Sequence, residues 1–306
     1  MPLVRVPATT ANLGPGFDTL GMALDLYDEL LIEAAPALEI TVTGEGEATI
    51  PRGPENIAYR AALAVFARAR RAAVNLKITM HNSIPVARGL GSSAAALVGG
   101  LVGANALLGE PLSQDELVNL ATNLEGHPDN VAPAILGGLV VAARDGDKVY
   151  CRRLEPPAGL MTVVAIPQFT LSTRVSRGVL PARVALSDAV FNLSRVGLLL
   201  AAVQAGDLEL MGKMMEDKLH QPYRLPLVPG MGEVFAAARE AGALAVALSG
   251  SGPSVIAFCR GRKPEVGPAM AAAFARHGVA CIIKELAPCY QGAIVIENRG
   301  NSHSCC

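Results

Sequence analysis

Four polar stretches rich in glycine and hydroxyl side chains interrupt an otherwise apolar chain, and they hold the residues whose types can do chemistry. PATTANLGPGFDTLG (7–21) carries an amide, Asn12, and an acid, Asp18. PVARGLGSSAA (85–95) sets Gly89, Gly91, Ser92 and Ser93 directly before an alanine-rich run. EGHPDN (125–130) brings Glu125, His127, Asp129 and Asn130 into one turn, and LSGSGPS (248–254) is a Gly/Ser turn between two apolar runs.

The second stretch follows a strand that ends at Pro85 and opens a helix. N–H groups at a helix start are unpaired and carry the positive end of the dipole, so they bind phosphate without a side-chain charge. The same residues also describe an ordinary glycine-rich cap, and composition alone does not separate the two. A Walker A loop is excluded, because it needs a lysine and none lies between Lys77 and Lys148. The dinucleotide fingerprint G-x-G-x-x-G is absent as well. The 248–254 turn has the small residues needed to approach either a ligand or the backbone of the second stretch.

The elements that must position these residues follow from periodicity and turn chemistry. Strands are expected in LVRVPA, DELLIEAAP, LEITVTG and LKITMHNSIP, a helix over 55–72, and a long apolar helix from Ala94 onward. Ser113 with Glu116 three positions later is a capping-box signature for a helix over 113–124. EGHPDN reads as a turn followed by a small-residue segment and a strand. A boundary falls near residues 155–160. The second half reads as helices over 187–205 and 206–219, then helix 231–241, strands 243–248 and 254–259, helix 264–277, strand 279–285 and a last apolar run, GAIVIEN. Helices and strands mix without regular βαβ alternation, so the expected class is α+β.

The bulk numbers narrow the function. At 306 residues and 51% hydrophobic, the chain has material for one large or two medium cores. The 26 Lys+Arg against 27 Asp+Glu leave no basic stripe for nucleic acid, and Arg68, Arg70 and Arg71 read as a solvated helix face. Cys151, Cys259, Cys281, Cys289, Cys305 and Cys306 contain no C-x-x-C pair, as expected of ordinary thiols in a reducing cytoplasm. Cys305 and Cys306, near His303, sit in a polar tail expected to fray. The N-terminus has no signal-peptide pattern, so the expected location is cytoplasmic. From Gly89 to Gly109 there is no charge, the length of a membrane span, with Gly99 and Gly103 at packing spacing. Its Gly/Ala/Ser composition, Asn105 and bare flanks argue instead for a buried helix whose glycines admit a neighbouring backbone.

Taken in order, P-x-x-x-G-L-G-S-S-A-A, EGHPDN-V-A-P and SGSGPS, with PATTANLGPGFDTLG at the front, resemble the GHMP kinase superfamily, which phosphorylates small alcohols with ATP. The likeness runs from about residue 3 to about 290 and is nearest to the branch whose acceptor is L-homoserine, in threonine biosynthesis. It implies a two-domain α+β fold: a ribosomal protein S5 domain 2-like half over 1–157, a ferredoxin-like half over 158–298, and a tail over 299–306. It also implies ATP, Mg²⁺ and a homodimer, with no nucleic-acid or membrane partner.

By that resemblance Asn56, Pro85, Val86, Ala87, Arg88, Gly89, Leu90, Gly91, Ser92, Ser93, Ala94, Ala95, Ser251 and Gly252 surround the nucleotide. Ser93 and Glu125 hold Mg²⁺, a hydroxyl and a carboxylate suited to a hard cation. Asn12, Asp18, His127, Arg177 and Arg224 take the substrate, with Asp18 for an ammonium and the two guanidinium forks for a carboxylate. Without the resemblance, both arginines read as surface residues. Asp129 or Asn130 stands where some relatives place a catalytic base. If Asn130 aligns there, no dedicated base exists, which a loose phosphoryl-transfer transition state tolerates. Two alternatives remain open from sequence: a kinase for another alcohol such as mevalonate, and a non-catalytic ATP-binding sensor.

Overall fold

The computed structural model describes residues 1–296; the expected 299–306 tail, with Cys305 and Cys306, lies outside the described residues. The chain opens with β1 (Leu3–Ala11), β2 (Leu20–Ala34) and β3 (Glu39–Gly44), then α1 (Ile57–Arg68) and β4 (Leu76–Asn82). Three helices follow, α2 (Ser92–Leu107), α3 (Gln114–Glu125) and α4 (Pro128–Leu136), before the hairpin β5 (Leu139–Asp145) and β6 (Lys148–Leu154). The second half runs β7 (Leu160–Pro167), α5 (Thr173–Gly178), α6 (Leu186–Ala205), α7 (Leu208–Lys213), α8 (Gln221–Arg224) and α9 (Met231–Glu240). It closes with β8 (Ala245–Leu248), β9 (Val255–Arg260), α10 (Val266–Arg276), β10 (Cys281–Leu286) and β11 (Ile294–Ile296).

Two sheets organise these elements. In the first, the order is β11-β1-β2-β4-β3, with the β5–β6 hairpin attached to β2. β2 is long enough to serve two partners: Leu20–Met22 pair with β5, and Glu29–Ala34 pair with β4. A register shift against β1 at Pro7/Ala8 bends the strand between those halves. The second sheet is antiparallel, in the order β10-β7-β9-β8. With α9 and α10 packed on it, this is the βαββαβ arrangement expected of a ferredoxin-like unit. The α+β class expected from sequence is the one observed.

Each sheet buries its faces by strand alternation. In β8, Ala245 and Ala247 face the large core shared with the first half, while Val246 and Leu248 face the smaller core under α9 and α10. α2 is buried from Ala94 to Asn105 and is the centre of the large core rather than a membrane segment. Its glycines work differently from the expectation. Gly99 and Gly103 sit on the side chains of Leu30 and Ile32, and it is Gly100 whose Cβ would overlap the carbonyl of Ala58. Each glycine costs about 1 kcal/mol of helix propensity, offset here by close packing of α1 and β2 on the two sides of α2. Among the described residues, the helix apolar and long enough to cross a membrane is α6, which carries Asp188 and Arg195.

EGHPDN is not one turn. Ser113 and Glu116 form the expected capping box at the start of α3, and Glu125 is the last residue of that helix. Gly126, at φ 97°, ends it, and Pro128 starts α4 at the position where its missing N–H costs nothing. Pro133 inside α4 disguised the helix in the sequence, because proline reads as a breaker. Asp129 and Asn130 therefore stand on a helical first turn.

Candidate active site

A cavity of about 510 Å³ opens between the two halves, and the four polar stretches meet on its walls. The 85–95 stretch forms one wall. Gly91, at φ 75°, is the N-cap of α2 and offers no side-chain cap, so first-turn N–H groups are left for a ligand. Gly89 has φ 74°; a Cβ there would overlap the Ser249 carbonyl, and one at Gly91 would overlap Oγ1 of Thr9. Ser249 Oγ donates to the Gly89 carbonyl at 2.6 Å and Ser254 N to the Arg88 carbonyl at 3.3 Å. The 248–254 turn thus braces the backbone of the loop, while Ser251 also reaches the cavity.

Of the residues expected around a nucleotide, Asn56, Val86, Ala87, Arg88, Gly89, Gly91, Ser92, Ser93, Ala94 and Ser251 line the cavity. Pro85, Leu90, Ala95 and Gly252 are buried behind it. Asn56 lines the cavity and also caps a helix. Its Oδ1 accepts from Ala58 N at 2.9 Å and Tyr59 N at 3.2 Å, capping α1, and its Nδ2 donates to the Pro51 carbonyl. Ile50, Pro51, Ile57, Met80 and Val86 make that end of the cavity apolar.

The α3–α4 junction forms the floor. Glu125 has no hydrogen-bond partner among the described residues; burial raises its pKa, helped by Asp129 and opposed by His127 and Arg177. Asp129 Oδ1 accepts from His127 at 2.9 Å and from Asn130 Nδ2 at 3.2 Å, leaving Oδ2 without a partner among the described residues. Burial disfavours the charged form of His127, but the hydrogen bond and charge of Asp129 outweigh it and hold its pKa above the usual value. Thr9 Oγ1 donates to Asn130 Oδ1 at 2.9 Å, which fixes that amide. Ser93 and Glu125 both line the cavity, and a hydroxyl and a carboxylate without a partner among the described residues are donors of the kind a hard divalent cation takes.

Two arginines complete the lining. Arg177 Nη1 donates to Asp18 Oδ2 at 3.0 Å and its Nη2 to Oδ1 at 2.5 Å, a bidentate pair that raises the arginine's pKa. Arg224 is 1% exposed, which overturns the surface reading. Burial and the nearby Arg177 push its pKa down to about 10. Its Nε donates to the Ser176 carbonyl at 3.2 Å and its Nη1 to the Gly250 carbonyl at 3.2 Å. That leaves Nη2 without a partner among the described residues, so Arg224, which lines the cavity, has one uncommitted nitrogen rather than the open fork expected of it. Asn12, at φ 72°, ties its own loop together: Nδ2 donates to the Gly250 carbonyl at 2.9 Å and Oδ1 accepts from Asp18 N at 3.1 Å.

Comparison with known proteins identifies the family. The GHMP kinases N terminal domain matches residues 56–138 and the GHMP kinases C terminal domain matches residues 199–279. A homoserine kinase of Moorella thermoacetica is 79% identical over 97% of this chain and 100% of its own length. The chain belongs to the homoserine kinase family of GHMP kinases. A second family member, from Carboxydothermus hydrogenoformans, is 51% identical over the full length of both chains. The crystal structure of homoserine kinase from Cytophaga hutchinsonii superposes with a TM-score of 0.88 at 32% identity, covering 96% of this chain and 97% of that one. The L. major mevalonate kinase shares the fold, with a TM-score of 0.67 at 17% identity over 92% of this chain and 94% of its own.

In this homoserine kinase family member, several residues the sequence did not single out complete the site. Phe17 lies under both arginines, with Arg177 Cζ 5.4 Å and Arg224 Cζ 5.3 Å from its ring centre. Asp217, His220 and Asn192 stand behind Arg224 and the 12–18 loop. Their signal was weak: an aromatic inside the first polar stretch, and an acid and a histidine shortly before Arg224 in DKLHQPYR. A buried histidine next to an arginine gives no periodic pattern, so only the folded geometry brings it forward.

Proposed function

We propose that this chain transfers the γ-phosphoryl group of ATP to the side-chain hydroxyl of L-homoserine, giving O-phospho-L-homoserine. The observation that carries the reading is a single cavity lined both by the uncapped N-terminus of α2 and by Asp18, Arg177 and Arg224. An α-amino acid headgroup carries a partner for each charge there: an ammonium for Asp18 and a carboxylate for Arg177 and the free Nη2 of Arg224. Mevalonate has no ammonium to offer Asp18, which would then serve only to hold Arg177.

The nucleotide's base fits the apolar end beside Ile57 and Met80, and its phosphates fit the Gly89–Ser93 backbone. Ser93 and Glu125 would hold Mg²⁺, which neutralises phosphate charge when bound. Positioning does most of the remaining work, because a loose transition state asks little covalent chemistry of the protein. His127, oriented by Asp129, contacts the acceptor. Asp129, through its unpartnered Oδ2, is the candidate acceptor for the hydroxyl proton.

The test is ADP release in a coupled assay with homoserine, mevalonate, shikimate and galactose as acceptors. Homoserine alone should stimulate release strongly. Equal or greater stimulation by mevalonate would move the assignment to another acceptor, and no stimulation by any of them would favour an ATP-binding sensor.

A further inference from the structure

His220 is fully buried, between the loop that carries Asp18 and the short helix that carries Arg224. Its Nε2 lies 2.8 Å from the carbonyl of Gly14, and its Nδ1 lies 3.1 Å from Arg224 Nη1. Arginine has donors only, so Nδ1 must present a lone pair. A carbonyl accepts only, so Nε2 must carry the proton. The two neighbours together dictate one neutral tautomer, Nε2–H.

The ring is held on its face as well. Phe17 stacks on it at 5.3 Å between centres and 28° between planes, and both arginines sit over that same phenyl ring. Behind it, Asp217 accepts from the backbone N–H of His220 at 3.0 Å and of Gln221 at 2.6 Å, and from Asn192 Nδ2 at 2.7 Å. Asn192 Nδ2 also donates to the Pro15 carbonyl at 2.9 Å, so the same assembly grips the first loop twice.

We infer that His220 is a positioning residue for the amino-acid end of the site: as a neutral Nε2–H imidazole it aims Arg224 and ties it to the Gly14–Asp18 loop. The inference rests on the homoserine reading for its kinetic part only. Protonation of Nδ1 would place a donor against a donor and a second positive charge 3.1 Å from Arg224. The groups facing the ring are Asp217, with Oδ2 3.5 Å from Nε2, Arg224, Asp18 and, across Phe17, Arg177. Burial and Arg224 favour the neutral ring, Asp217 and Asp18 oppose them, and the net displacement of its pKa is downward.

Two measurements decide it. In wild-type protein labelled with ¹⁵N-histidine, the resonances absent from a His220→Asn sample should show the Nε2–H tautomer at about pH 6, where an ordinary histidine is mostly protonated. An imidazolium or an Nδ1–H tautomer there overturns the inference. In kinetics, His220→Phe keeps the stacking but removes both hydrogen bonds. The KM for homoserine should rise at least about tenfold while that for ATP stays within about twofold, and His220→Asn, which restores an acceptor for Arg224, should recover part of the loss. A parallel rise in both KM values, or no rise, overturns it. If His220→Phe does not fold, the wild-type tautomer alone decides. If homoserine is not phosphorylated at all, the proposed function fails while the tautomer result stands separately.

Discussion

Arg177 and Arg224 carry the same charge into the same cavity but are held in opposite ways. Arg177 is half exposed and paired face to face with Asp18, whereas Arg224 is buried with Nε and Nη1 committed to the protein. Replacing Arg224 by Ala should raise the KM for homoserine about a hundredfold and that for ATP less than about threefold, in steady-state assays. It should also cost about 2 kcal/mol of stability, because the Ser176 and Gly250 carbonyls lose a donor. Arg177→Ala leaves only a part-exposed Asp18 behind, so its melting temperature should stay close to wild type while homoserine affinity falls. At Asp129 the informative exchange is Asn, which keeps the shape and removes the basicity. A fall in kcat of about tenfold or more is expected, and a rate within about threefold of wild type would remove the base role and leave the hydroxyl proton to the phosphate.

At the scale of elements, the phosphate loop is held from behind by an acid that never reaches the cavity. Asp28 on β2 is 1% exposed, and its Oδ1 accepts from Ser83 N at 2.7 Å and Ile84 N at 2.9 Å, where β4 leads into Pro85. Burial raises its pKa to about 6, against the two backbone hydrogen bonds. A carboxyl whose folded pKa lies above its unfolded value of 3.8 adds stability below about pH 4 and loses it as pH rises through about 6. Wild type should therefore gain on Asp28→Asn by on the order of 2 kcal/mol between pH 7 and 4, read as a change in the melting-temperature difference. The capping box of α3, the apolar run of α2 and the short strands β8, β9 and β10 were legible in the sequence because each has a local cause. α4 was not: Pro133 broke its pattern, and Gly126 and Pro128 made two helices look like one turn. α5 and α8 were too short to show a period, although they carry Arg177 and Arg224. The buried Arg224 was unreadable for another reason: what buries it comes from the 12–18 loop, α5 and the 248–254 turn, all distant in sequence.

On the scale of the whole molecule, α6 stands apart. Leu186 (80% exposed), Val190, Leu193 (74%) and Leu198 put apolar side chains on its outer face, in a helix otherwise anchored through Leu199, Ala202 and Val203. Leu193→Glu replaces one of these exposed side chains and leaves the buried face intact, so helicity by circular dichroism and the melting temperature should stay close to wild type; a fall of several degrees would show that this face is packed.

The register of β11 has a consequence for how the chain can be divided. Ile296, Val295 and Ile294 pair with Leu3, Val4 and Arg5, so the final described strand returns to the sheet in which the chain began. Residues 1–157 expressed alone would present β1 as a bare, apolar hydrogen-bonding rim, open to any extended peptide, including another fragment of the same kind. β11 acts as a selvedge on that sheet, and the two halves are separable as sequence matches but not as cloth.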